Sequence, residues 1–149
     1  MQEINKQMIE AIVRQVIEEQ FGRASNDDKC VDKSGVMSIK ASRIKPEPFD
    51  TGKKGDKVWL TDLYSLEESP RLGAGIMEMD QTTFDWTLNY DEVDYVIEGT
   101  LEIVVEGRRI VGNAGDVLLI PKGSKIQFSS PGFCRFMYVV YPANWAEQQ

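Results

Sequence analysis

Two rhythms of apolar residues divide the chain. In residues 2–21 the apolar side chains are Ile4, Met8, Ile9, Ile12, Val13, Val16, Ile17 and Phe21. Lys6, Glu10, Arg14, Glu18 and Glu19 occupy the positions between them. This 3.6-residue spacing predicts an amphipathic helix over 2–21, with Gly22 as its stop. Residues 23–35 are mostly polar, with Ser25, Asn26, Asp27, Asp28, Lys29, Asp32, Lys33 and Ser34, and are expected to form a linker. From Val36 onward the period shortens to two. Strands are predicted over 36–44, 58–63, 72–79, 84–88, 93–98, 101–106, 109–111, 117–120, 125–128 and 134–141. Pro46 and Pro48 end the first of these, and Gly99, Gly107, Gly112, Gly115, Gly123 and Gly132 punctuate the later ones. Many short strands separated by glycine turns predict a mainly β, antiparallel sandwich or barrel. The expected organisation is a helix over 1–22, a linker over 23–35 and a barrel over 36–149.

An isolated helix of this length is marginal in water, so its apolar stripe needs a cover. The stripe of Ile9, Ile12, Val13, Val16 and Ile17 either packs on the barrel, pairs in a dimer, or docks on a separate partner. The polar linker favours docking, since a core helix needs no leash.

Composition narrows the function classes. The hydrophobic fraction of 42% suits a folded domain with a real core. The formal net charge is -7, without a dense basic stripe, which argues against nucleic acid and anionic membranes as partners. No apolar run is long enough to span a bilayer, and no signal peptide is evident, so the cytoplasm is expected. Cys30 and Cys134 have no spacing that suggests a disulfide framework or a zinc site. The chain contains no histidine. That removes histidine acid–base chemistry, Ser-His-Asp and Cys-His catalysis, and every imidazole metal site. Carboxylates, Lys, Arg, Tyr, Cys or bound Mg2+ remain for any catalysis. The loop Gly52-Lys53-Lys54-Gly55-Asp56-Lys57 is read either as a phosphate cradle or as a solvated turn; it is not a Walker A sequence.

The stretch 86–130 holds two spaced patterns, Trp86-x-Leu88-x3-Glu92-x6-Gly99 and Gly115-x5-Pro121-x-Gly123-x2-Ile126-x3-Ser130. Their spacing resembles the two motifs of the cupin superfamily, small β-barrels of jelly-roll type that often hold a metal. The resemblance implies one cupin domain preceded by the amphipathic helix. In that family the positions of Trp86, Leu88 and Ile126 are usually histidines, so no transition-metal site is expected here. Carried over by position, Trp86, Leu88, Glu92 and Ile126 line the cavity. Strand alternation sends Asp94 and Val96 the same way as Glu92, Phe128 the same way as Ile126, and Tyr95 outward. The expected substrate pocket is therefore Trp86, Leu88, Ile126 and Phe128, an apolar cup around the carboxylates Glu92 and Asp94. Such a pair raises at least one pKa and suits proton transfer or Mg2+ binding. A solvated pair at the barrel mouth, or one satisfied by backbone donors, is the alternative.

The run 86–99, Trp-Thr-Leu-Asn-Tyr-Asp-Glu-Val-Asp-Tyr-Val-Ile-Glu-Gly, resembles the EutQ proteins of ethanolamine utilization, loss of the histidines included. The segment 9–17 is also similar to the encapsulation peptides of bacterial microcompartment cargo. Longer family members carry a larger region ahead of the cupin than this chain does. The resemblance implies a homodimer located in a cytoplasmic microcompartment and bound to its shell or cargo. It also implies acetate kinase activity, with Mg2+ and ATP as transient partners, no tightly held cofactor, Glu92 and Asp94 as catalytic groups, and Lys53, Lys54 or Arg71 on phosphate. A non-catalytic assembly protein and a metabolite-binding module stand as alternatives.

Overall fold

The computed structural model describes residues 6–21 and 28–149, with side-chain burial defined for 6–16 and 28–149. The chain divides into two units, Met1–Ile44 and Lys45–Gln149.

The first unit contains the helix α1, Lys6–Phe21. The expected start at Gln2 and the stop at Gly22 lie outside the described residues. Every described side chain of α1 is exposed, and Ile9, Ile12, Val13 and Val16 are each about half accessible. Ile17 belongs to the helix, but its side chain lies outside the described residues. Strand β1, Lys29–Val31, pairs antiparallel with β2, Met37–Ile39. The part of the expected linker from Asp28 to Gly35 is thus half of a hairpin. Its turn is built locally: Asp32 accepts the N–H of Ser34 on its carboxylate at 2.7 Å and the N–H of Gly35 on its carbonyl at 2.9 Å. Gly35 supplies the positive φ of +90° that the turn requires. The strand expected over 36–44 shortens to β2, because a 3-10 turn at Ala41–Arg43 follows it. Arg43 reaches back to pair with Asp28 at 3.0 Å.

The second unit is a seven-stranded antiparallel sheet. Its strands are β3 (Glu47–Pro48), β4 (Val58–Asp62), β5 (Gly73–Thr87), β6 (Asp91–Val105), β7 (Arg108–Asn113), β8 (Val117–Ile120) and β9 (Lys125–Tyr141). The order is β3-β4-β5-β9-β6-β7, with β8 paired to β6. Strand β9 is the spine, bonded to β5 on one side and β6 on the other. A 3-10 helix, Trp145–Gln148, ends the chain.

Three pairs of short predicted strands are each one long strand. In two of them the reason lies in the parity of their apolar residues. Along β5 the residues in the core cluster are Met77 and Met79, then Phe84. Odd positions face in before Asp80 and even positions after Thr82. The register shifts between those two residues, where Gln81 at φ 46° stands opposite two residues of β9, Pro131 and Gly132. Along β6 Glu92, Asp94 and Val96 are buried, then Leu101 and Ile103. Register shifts at 96–98 and 99–102 absorb that change. In both places the sequence breaks its rhythm without breaking the strand. Gly99 is required at the second bulge: its φ is +75°, and a Cβ there would lie 2.0 Å from the carbonyl of Phe133. The core that results is centred on Met79, Leu88, Val96, Leu101, Cys134 and Phe136, all fully buried. On the outer face Val93, Tyr95, Val117 and Leu119 are exposed, and the register pairs Val93 with Leu119 and Tyr95 with Val117.

Candidate functional site

Strand β6 turns Glu92 and Asp94 to the inner face, where they are 5% and 0% accessible. Glu92 lies on the wall of a small cavity, and Asp94 sits two residues further along the same face. Around Glu92 the wall is aromatic and aliphatic. Phe84 and Trp86 come from β5, Phe128, Tyr138 and Val140 from β9, Leu60 from β4 and Met77 from β5. Phe49 enters from the β3–β4 loop, Tyr90 from the turn before β6, and Trp145 from the C-terminal 3-10 helix. The cavity is partly open to solvent, and the space that water centres can occupy in it is about 30 Å³. That is room for roughly two waters.

The rings are arranged by their polar ends. Trp86 donates its Nε1–H to Tyr90 Oη at 2.8 Å. Tyr138 donates its hydroxyl to Asp62 Oδ1 at 2.6 Å, and Trp145 Nε1–H reaches the same oxygen at 3.3 Å. Gly75 makes the Tyr138 bond possible. Asp62, Gly75 and Tyr138 are consecutive partners across β4, β5 and β9. A Cβ on Gly75 would lie 2.0 Å from the Tyr138 hydroxyl, so only glycine lets the ring cross the strand to Asp62. Trp145 spans the rings of Phe49, Trp86, Tyr90 and Tyr138, with centroids at 5.9–6.4 Å. It is tied down further by Asn89, whose side-chain amide donates to the carbonyl of Gln148 at 2.7 Å.

The carboxyl pair is the unusual feature. No donor reaches either carboxylate oxygen of Asp94. The group that faces it is Glu92, so the two bond to each other when one holds a proton. Burial pushes Glu92 up to about 7. Asp94 is driven well above the usual carboxylate range, by burial first and then by the Glu92 charge. Burial and the Glu92 charge also raise Tyr90, and burial with Asp62 raises Tyr138, so both phenols stay protonated at neutral pH. Among the described residues no lysine or arginine lines the cavity to offset the acids.

Of the expected pocket residues, Trp86 and Phe128 line this cavity. Leu88 and Ile126 do not. Both are buried at the far end of the β5–β9 ladder, where Trp86 pairs with Ile126 and Leu88 is bonded to Gly123 and Ser124. Their side chains pack into the core there. The phosphate candidates do not converge. Lys53 is held near Thr83, whose carbonyl accepts from Nζ at 3.3 Å, and it also pairs with Asp56 at 3.7 Å. Arg71 lies at the other end of β5, where its carbonyl accepts the Ala143 N–H at 2.9 Å. The ten residues between Gly73 and Thr83 correspond to roughly 30 Å of strand. Lys54 is exposed in the same loop as Lys53. The sequence reading missed Asp62, Tyr90, Tyr138 and Trp145, which come from separate segments without a local motif. The one available signal is Gly75, which with Gly73 lies inside a predicted strand, where glycine allows a bend or a close backbone approach.

The usual cupin metal has no donor set here, since Trp86, Leu88 and Ile126 offer no ligand atoms. Among the described residues no three Asp, Glu, Cys or His side chains gather for a metal ion. No helix of the described residues is long and apolar enough to cross a membrane.

The acid pair makes stability depend on pH in a defined direction. Folded Glu92 and Asp94 hold protons that the unfolded chain, with ordinary carboxyls near 4, has already released. Stability is therefore fullest below that value and falls as pH rises through the folded pKa values. The chain has no histidine to obscure the window. Between pH 5.5 and 8 the protein should lose at least roughly 2 kcal/mol, from a Glu92 pKa of about 7. Glu92→Gln should remove the Glu92 share and so lose less over the same window in urea denaturation. A flat profile for the unaltered protein contradicts this picture of the pair.

Comparison with known proteins fits this frame. Residues 4–147 match the model of the ethanolamine utilisation protein EutQ family. A relative from Clostridioides difficile, named acetate kinase EutQ, is 53% identical over 97% of this chain and 96% of its own length. A relative of the same name from Salmonella typhimurium is 47% identical over 76% of this chain, and the match spans about half of that protein (49%). The solved structure of the Clostridium difficile EutQ protein superposes with a TM-score of 0.79 at 56% identity, covering 81% of this chain and 90% of that one. The cupin domain of Schizosaccharomyces pombe Cnp3, at 14% identity and a TM-score of 0.58 over 74% of this chain and 77% of that one, shows the shared fold. The mainly β cupin fold is shared with these structures, and the chain belongs to the EutQ family of ethanolamine utilisation proteins.

Proposed function

We propose that the protein transfers phosphate between ATP and acetate during ethanolamine utilization. The observation that carries this reading is the 53% identity, across nearly all of both chains, to a protein named acetate kinase EutQ. A two-carbon acid is within the size of the cavity, about 30 Å³. A nucleotide is far larger, so on this reading it binds outside the cup. Mg2+ commonly takes one or two carboxylates and fills its remaining positions with substrate oxygens and water. Glu92 is the carboxylate on the cavity wall that would meet it, with Asp94 behind; the ion would neutralise phosphate charge. Lys53, Lys54 and Arg71 supply surface cations, of which only one end of β5 can serve a given phosphate. Purified protein with ATP, Mg2+ and acetate should form ADP and acetyl phosphate. Glu92→Gln should lower turnover at least about tenfold with the fold intact, the usual scale for losing one acid–base group. No product from the unaltered protein, under conditions where a known acetate kinase is active, removes the kinase reading.

A second reading, an assembly or adaptor protein, is favoured by the exposed apolar stripe of α1. We propose that Ile9, Ile12, Val13, Val16 and Ile17 dock on a microcompartment shell or cargo protein as a helix in a groove. The exposed face of Val93, Tyr95, Val117 and Leu119 is proposed to pair with a second copy. The two surfaces separate experimentally. A chain starting at Val36 should still sediment as a dimer but stay outside compartments, whereas residues 1–22 fused to a reporter should enter them. A reporter left in the cytosol beside a truncated chain that still enters rules out the helix as the address. A monomeric truncated chain rules out the β-face as the pairing surface.

A further inference from the structure

We propose that, on the reading that acetate enters the cup, Tyr90 is the residue that holds it, donating its hydroxyl proton to one oxygen of the carboxylate. The first observation concerns the donors. Each of Trp86, Tyr90, Tyr138 and Trp145 brings one polar hydrogen to the wall. Three of these are spent inside the protein. Trp86 gives its N–H to Tyr90 Oη at 2.8 Å, and Tyr138 and Trp145 give theirs to Asp62 Oδ1 at 2.6 and 3.3 Å. An indole nitrogen can only donate, so in the Trp86–Tyr90 bond the phenol oxygen is the acceptor. The Tyr90 proton is left over, and among the described residues no acceptor takes it. Glu92, also on the wall, bonds to Asp94. Tyr90 is 2% accessible, and a buried phenol normally finds a partner for its hydroxyl. Its oxygen sits between two rings of the wall, so a ligand in the cup can be that partner.

The second observation is how firmly the hydroxyl is aimed. Tyr90 stands on the turn before β6. The backbone of Leu88, two residues earlier, is bonded to Ser124 and Gly123 at 2.9 and 2.7 Å. The neighbouring Asn89 side chain is bonded to the carbonyl of Gln148 at 2.7 Å. The Tyr90 ring meets that of Trp145 with centroids 5.9 Å apart. A phenol proton lies near the ring plane, on one side of the oxygen or the other. The Trp86 N–H occupies one side, so the proton turns to the other. Accepting a hydrogen bond also polarises the hydroxyl and makes it a stronger donor. Trp86 is therefore a positioning residue for Tyr90.

The third observation is the character of the remaining wall. Ring faces carry negative potential and do not hold an anion. Phe84, Phe128, Met77 and Val140 have no donor to offer. A carboxylate in this cup is thus held where a free donor stands, at Tyr90, with its methyl group left to the apolar side chains. A hydrogen bond to an ionised acceptor is about twice as strong as a neutral one. The bond takes one carboxylate oxygen and leaves the other free. It contributes to binding in the ground and transition states alike, so its loss shows in KM more than in kcat.

The test is calorimetric titration of the full chain with sodium acetate and with nitromethane, its uncharged isostere, in one buffer without Mg2+. Acetate should bind at least about tenfold more tightly than nitromethane, because its oxygens are the better acceptors. Tyr90→Phe keeps the ring and should lose at least about tenfold in acetate affinity, the scale of a hydrogen bond to a charged group. Its affinity for nitromethane should change far less. In the kinase assay the same variant should raise KM for acetate by that factor, with KM for ATP unmoved and kcat little changed. Trp86→Phe, which lets the hydroxyl turn, should raise the acetate KM by a smaller factor and also leave KM for ATP unmoved. If Tyr90→Phe does not fold, the two ligands compared on the unaltered protein decide the matter. Nitromethane bound as tightly as acetate, no binding of acetate, or a folded Tyr90→Phe with unchanged acetate affinity overturns the proposal. A failed kinase assay beside acetate binding that depends on Tyr90 removes the transfer reading alone. Normal turnover beside unchanged acetate affinity in Tyr90→Phe removes the role of Tyr90 alone.

Discussion

Glu92 and Asp94 share one buried face of β6, and among the described residues no lysine or arginine lines the cavity beside them. Much of the second unit is arranged around this. The bulge at Gln81 turns Phe84 and Trp86 inward next to the pair, and the bulge at Gly99 keeps β6 in the sheet beyond it. Tyr90, Tyr138 and Trp145 form a wall whose own polar atoms are bonded to Trp86 and to Asp62. Asp94 is left with no donor among the described residues beyond a proton shared with Glu92. Burying the two acids is unfavourable, and the fold tolerates it by keeping them protonated. That protonation is itself a chemical resource, since it places an exchangeable proton beside an apolar space at neutral pH.

In most cupins the equivalent space is organised by a metal. Here apolar side chains stand at three of the ligand positions and aromatic rings fill the surrounding volume. Trp86 shows the change most clearly. Its side chain cannot bind a metal, yet it lines the cavity and donates its indole N–H to Tyr90, linking β5 to the turn before β6. The cup retains one motif carboxylate and has gained a hydrogen-bonded aromatic enclosure. Recognition in such a site depends on charge, shape and ring faces instead of coordination. That is why the chemistry of its ligand can be argued from the polar groups of the wall, whatever reaction the protein carries out.

The fold was legible in the sequence where the signals were local. Apolar alternation located nearly every strand, and the helix was evident from its 3.6-residue stripe. The errors came where local rhythm and real continuity diverge. A parity change within β5 and β6 looks like a strand end, because a bulge and a turn both interrupt alternation. The hairpin at 29–39 was hidden because Asp32 and Ser34 are equally at home in a linker and in a tight turn. The site was partly legible. Glu92, Asp94, Trp86 and Phe128 follow from motif spacing and strand period. Leu88 and Ile126 were misplaced, since position in a motif fixes the strand and not the packing at its end. Asp62, Tyr138 and Trp145 were invisible, because they meet only through a crossing over Gly75 that joins residues 62, 75 and 138.

The character of the cup depends on the protonation of its two acids. The most direct measurement is a carboxyl 13C NMR titration of the full chain from pH 4 to 9, with Glu92 and Asp94 assigned through Glu92→Gln and Asp94→Asn. Two carboxyl signals should titrate far above the rest, Glu92 near 7 and Asp94 also well above the usual carboxylate range. Two ordinary titrations, complete by about pH 5, would mean that the pair is solvated or already holds a cation, and would contradict the account.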